Sequence, residues 1–129
     1  MLKLSADRTL GAHPYFVPVE HTPIARAALG PDALLAPEQA VVFSTNAEEA
    51  RAVARGHMST YMGLPNYTNN LRRLGWGDED LNTANGPSDK LVDAIVAPAI
   101  TVGGRTAINN QCNAAIKACV ALHTIWRSN

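Results

Sequence analysis

The chain has 129 residues, 47% of them hydrophobic, and eleven basic side chains balance eleven acidic ones to give zero net charge. That length suits a single domain burying roughly two-thirds of its unfolded surface, and with no basic stripe the electrostatic footprint of a nucleic-acid binder is missing. The N-terminus lacks a signal-peptide core, and the longest apolar run, residues 94–102, falls short of the ~20 residues that cross a bilayer, so no membrane association is expected and the cytoplasm is the expected location.

Residues 1–8 carry Leu2 and Leu4 among Lys3, Asp7 and Arg8, too short a pattern to assign alone. Gly11-Ala12-His13-Pro14-Tyr15-Phe16-Val17-Pro18 then reads as a strand that gives way to loop, because its apolar and aromatic run favours extended backbone while each proline lacks an N–H. Thr22 and Pro23 read as N-cap and first helical residue of a helix over 23–29, closed by Gly30-Pro31. The near-continuous apolar run at 40–44 suits a parallel strand covered on both faces. Thr45-x-x-Glu48 and Asn46-x-x-Glu49 are overlapping capping boxes for a helix with Ala47, Ala50, Val53, Ala54, Met58 and Tyr61 near one face. Two strand-to-helix steps in succession predict an α/β fold with parallel strands.

Pro65 opens a further short helix through Leu71 and Leu74, stopped by Gly75, and 76–87 is a polar loop. Residues 64–87 exceed the 2–6 residues of an ordinary connection and predict a lid-like insertion. Ser88 caps a helix with Leu91, Val92, Ile95 and Val96 on its apolar side. Beyond it the character changes: residues 1–93 hold eight basic and all eleven acidic side chains, whereas 94–129 hold three basic ones. Cys112 and Cys119, seven apart, stand at no zinc spacing and are expected as free or buried thiols, so no metal site is expected.

Four words carry a resemblance. Gly11-Ala12-His13-Pro14-Tyr15-Phe16-Val17-Pro18-Val19-Glu20-His21-Thr22, then Leu35-Ala36-Pro37-Glu38-Gln39-Ala40-Val41-Val42, then Leu64-Pro65-Asn66-Tyr67-Thr68-Asn69-Asn70-Leu71-Arg72-Arg73-Leu74-Gly75, then Ser88-Asp89-Lys90-Leu91-Val92-Asp93-Ala94, stand in the order found in luciferase-like monooxygenases. They resemble the branch that uses a deazaflavin, coenzyme F420, rather than FMN. The resemblance covers residues 1–97 and implies the C-terminal portion of a (β/α)8 TIM barrel, incomplete here because intact relatives are more than twice as long. It implies a hydride-transferring oxidoreductase acting on a small-molecule substrate, inactive as an isolated piece and prone to self-association through exposed edges. It also implies that Met1 follows a phosphate-contacting loop, and that 98–129 is a divergent tail produced by a frameshift. The alternative is a non-catalytic remnant or interaction module without cofactor.

In such a barrel the site lies at the C-terminal ends of the strands, which makes His13, Tyr15 and Phe16 pocket candidates, with Tyr61, Tyr67, Asn69 and Asn70 on the lid. His13 is either a substrate- or proton-handling imidazole or a satisfied rim residue packed on Pro14. The tyrosines and asparagines either face the ring and substrate or staple surface helices to the body. Glu20-His21 reads as an acid/base pair or, with more weight, as a solvated helix start, and Arg72-Arg73 as helix-end charges or an anion contact. His57 and His123 read as surface residues. No residue is assigned a catalytic role.

Overall fold

The computed structural model describes the backbone of residues 1–102, 105–108 and 121–127 and the side chains of residues 1–97. Helix α1 (Leu2–Arg8) precedes strand β1 (Gly11–Ala12), and α2 (His21–Leu29) leads through β2 (Leu34–Leu35) into β3 (Glu38–Phe43). Helices α3 (Ala47–Met62), α4 (Pro65–Arg73), α5 (Asp78–Leu81) and α6 (Asp89–Ile95) follow, then β4 (Val96–Val102), β5 (Arg105–Ile108) and β6 (Ala121–Arg127). The fold is mixed α/β.

Strand β3 is the centre of a four-stranded sheet ordered β5-β4-β3-β6, in which it runs parallel to both β4 and β6 while β5 is antiparallel to β4. Its four inner residues, Gln39, Ala40, Val41 and Val42, are all buried, as a strand covered on both faces requires. β3, the α3–α6 crossover and β4 form one βαβ unit. β4 runs without a break across position 97, where the family words stop. β1 and β2 form a separate parallel pair. The described strands close no barrel, and the antiparallel β5 departs from the all-parallel ring of a (β/α)8 fold.

Local chemistry accounts for most boundaries. Asn46 Oδ1 accepts from the Glu48 and Glu49 amides at 3.0 and 3.2 Å, so the second of the two overlapping boxes forms the cap of α3. Pro65 opens α4, Gly75 at φ +94° ends the turn that follows it, and Ser88 Oγ accepts from the Leu91 amide to start α6. Helix α2, by contrast, starts two residues earlier than expected. His21 and Thr22 donate to the Pro18 and Val19 carbonyls at 3.0 Å, so a backbone turn replaces the Thr22 cap. α6 stops at Ile95, which gives Val96 to the sheet rather than to the helix.

The main core lies between one face of β3 and α3, α4 and α6, where Val42, Met58, Leu71, Leu91 and Val92 are almost wholly buried. Each such side chain contributes on the order of 1.5–3 kcal/mol by burial. The loop after α4 is more ordered than its polarity implies, since Trp76 and Leu81 reach this core and α5 forms within it. Arg51 and Arg55 of α3 bridge to Asp93 and Asp89 of α6 along the solvent side. A second, smaller cluster of Ala25, Leu29 and Leu35 holds α2 against β2. Cys112 and Cys119 lie outside the described residues, as does the side chain of His123.

Candidate functional site

The segment after β1 is not the regular strand its composition predicts. The carbonyls of Leu10, Ala12 and Pro14 accept from the amides of Leu34, Ala36 and Glu38 at 2.9–3.0 Å, so parallel pairing continues as far as Pro14. In that ladder the next donor to the Ala36 carbonyl would be the N–H of residue 14, which proline lacks. His13 supplies it instead: its Nδ1 lies 2.5 Å from the Ala36 oxygen, and Nε2 stands 3.7 Å from the Glu38 carboxylate. His13 is therefore a positioned rim residue whose Nδ1–H completes a ladder that a proline interrupts.

Two residues on, Phe16 takes φ +54°, a left-handed conformation that costs a large side chain about 1–3 kcal/mol. This overturns the extended backbone expected there. The turn drives the Phe16 ring into the core, stacked on Tyr61 at 4.7 Å and edge-on to Tyr67 at 5.5 Å. Tyr15 and Tyr61 share a 2.6 Å hydroxyl–hydroxyl hydrogen bond, and Tyr61 and Tyr67 meet edge to face at 5.2 Å. Burial, and then the Tyr61 hydrogen bond, push the Tyr15 phenol well above its ordinary value, so it stays protonated and serves as a hydrogen-bonding group rather than a base.

These residues meet in a cleft of about 830 Å³ between α1, the 11–17 segment and α4. Five of the seven candidates line it: His13, Tyr15, Tyr67, Asn69 and Asn70. Phe16 and Tyr61 stand behind the wall as its packing support. Lys3 and Arg73 also line the cleft, whereas among the described residues no carboxylate does. The neighbouring Arg72 turns away to Asp78 at 2.7 Å.

His21 was expected to be solvated. It is instead 9% exposed on the buried side of α2 and lines the same cleft, its Nδ1 has no hydrogen-bond partner among the described residues, and burial holds its imidazole below the ordinary range. Glu20, exposed, does not pair with it. The signal was present as an i, i+4, i+8 stripe, His21, Ala25 and Leu29, visible only once the helix is started at 21 rather than 23. His57, expected on the surface, is half-buried with its ring 5.3 Å from Tyr61.

Among the described residues no group of three His, Cys, Asp or Glu side chains is placed to hold a metal ion, and no helix is long and apolar enough to cross a membrane. Compared with family models, with curated proteins and with solved structures, the chain matches none of them.

Proposed function

We propose that this chain corresponds to C-terminal strands and helices of a luciferase-like oxidoreductase that uses coenzyme F420, with FMN as the alternative, and that it is inactive without the remaining strands. One observation carries the proposal. The first and third family words, some fifty residues apart in sequence, face each other across a single cleft. That volume falls in the ~300–1,000 Å³ range of small-molecule sites. The Tyr15 and Tyr67 rings offer an aromatic wall, the Asn69 and Asn70 amides offer hydrogen bonds, and Lys3 and Arg73 suit an anionic group. The coenzyme, when bound, supplies a ring carbon that takes or gives a hydride. The chain's own part is to seat and orient: Phe16 and Tyr61 stiffen the wall, and His13 is held at Nδ1. The barrel itself is part of this proposal, supported by parallel pairing of residues 10–14 with 34–38 and of β3 with β4.

A fluorescence titration of the purified chain with F420 tests this. Tight stoichiometric binding is expected only after mixing with the N-terminal half of a luciferase-like relative. Binding by the chain alone, or none in the mixture, would overturn it.

A second reading has its own observation. The cleft runs along residues 11–15, where the backbone groups of His13 and Tyr15 have no backbone partner among the described residues, which favours an interaction module without cofactor.

A further inference from the structure

We infer that the cleft beside residues 11–15 is a strand-docking edge that receives an extended, acidic peptide from another chain. This rests on the interaction-module reading and not on the oxidoreductase one, although both would use the same cleft.

The backbone indicates an edge. Gly11, Ala12, His13, Pro14 and Tyr15 line this cleft consecutively, and pairing on the β2 side continues as far as Pro14, so the cleft looks onto the other side of that extended stretch. Leu10, Ala12 and Pro14 spend their carbonyls on the β2 side. By the parity of a parallel ladder, the groups of residues 11, 13 and 15 turn to the opposite side. At Gly11 both are taken by the Thr9 hydroxyl, which donates to its carbonyl at 2.7 Å and accepts from its amide at 3.2 Å. At His13 and Tyr15 the backbone N–H and C=O have no backbone partner among the described residues. Thr9 thus blocks the start of the edge and leaves the next two odd positions open to another strand, the pattern of β-augmentation.

The charge identifies the occupant. Lys3 and Arg73 line the cleft, neither forms an ion pair among the described residues, and no Asp or Glu lines it. Main-chain bonds to residues 13 and 15 would hold the peptide, and its carboxylates would face Lys3 and Arg73.

Fluorescence anisotropy with the full chain tests the inference, using short dye-labelled peptides of alternating Val and Glu or alternating Val and Lys. The Val–Glu peptide should bind saturably and the Val–Lys peptide about tenfold more weakly or not at all. Two further Val–Glu peptides, each N-methylated along one edge, separate strand addition from charge alone. One should lose about tenfold in affinity, having lost two backbone bonds, and the other should bind unchanged. Arg73→Glu should weaken Val–Glu binding by a similar factor, with only the small drop in melting temperature that a reversed charge in the last turn of α4 brings. Equal binding by both N-methylated peptides, full displacement by inorganic phosphate at constant ionic strength, or indifference to Arg73→Glu would overturn the inference. The F420 titration is a separate readout, so either proposal can fail without the other.

Discussion

The β3–α3–α6–β4 unit and the segment running from Thr9 through α2 to β2 are built on opposite terms. In the first, the apolar side chains Val42, Met58, Leu91 and Val92 are almost wholly buried, the starts of α3 and α6 are capped by side chains, and even the buried Gln39 amide donates to the Ile95 and Ala40 carbonyls. In the second, three small or medium side chains form the cluster, Leu10 and Leu34 are largely exposed, Phe16 is held left-handed, and buried His21 has an unsatisfied nitrogen. Stability is concentrated in one region, and the other supplies the cleft's extended wall, which α4 of the first faces. That division is common where binding surfaces are drawn from the weakly held end of a structure.

Substitutions in the two regions should therefore differ in reach as well as in size. Met58→Ala removes a fully buried side chain at the centre of the main cluster, and should cost about 2–5 kcal/mol in urea unfolding, with every probe losing stability together. If the loss stayed local to α3, the cooperative core assigned to β3 and the helices would be wrong.

Gly11→Ala should cost less, about 1–3 kcal/mol, and stay local. A Cβ at Gly11 would overlap the Leu34 carbonyl, so the β1–β2 pairing must open to admit it. Hydrogen exchange should show the Leu34 and Ala36 amides losing protection while those of β3 and β4 keep theirs. Loss of protection in both places would merge the two regions into one.

His21 gives the comparison a pH dependence. Burial lowers its folded pKa below the ordinary 6.5, so below 6.5 the unfolded chain binds the proton that the folded one refuses. With more protons on the unfolded state, this contribution is flat above 6.5 and stability falls as pH drops through it. His21→Leu should remove that component. The difference between wild type and variant should change by at most about 1.4 kcal/mol per pH unit between about pH 6.5 and the lowered folded value. Parallel stability curves would show the imidazole to be solvated after all.

What was legible in the sequence follows the same division. β3, α3 with its Asn46 cap, α4 with Pro65 and Gly75, and α6 from Ser88 could be read because local propensity, capping and burial agree there. The cleft segment was misread where these conflict. The β-favouring character of Phe16 yields to ring packing against Tyr61 and Tyr67, and Thr22 loses its capping role to a backbone turn from Pro18. Candidates from both words did converge, yet Lys3 and Arg73 enter the cleft through geometry that spacing alone does not encode, and His21 through a stripe that a misplaced helix start concealed. A (β/α)8 ring is what sequence pattern supports least, because closure depends on pairings between distant segments, and the described strands close none.

The smallest expected effect is at the seam between the regions, where the Tyr15 hydroxyl meets that of Tyr61. Tyr15→Phe keeps the ring and deletes one hydrogen bond, so it should cost only about 0.5–1.5 kcal/mol near neutral pH. Its sharper consequence comes at alkaline pH. The folded Tyr15 phenol is raised above its ordinary 10.0, so above 10 the unfolded chain releases a proton that the folded chain keeps, and stability falls as pH rises. An absorbance titration of wild type should therefore end in a late Tyr15 step that coincides with unfolding. The variant should lack that step. A late step that survives Tyr15→Phe would mean that the seam is held elsewhere, and that the cleft wall and the core do not share this bond as their link.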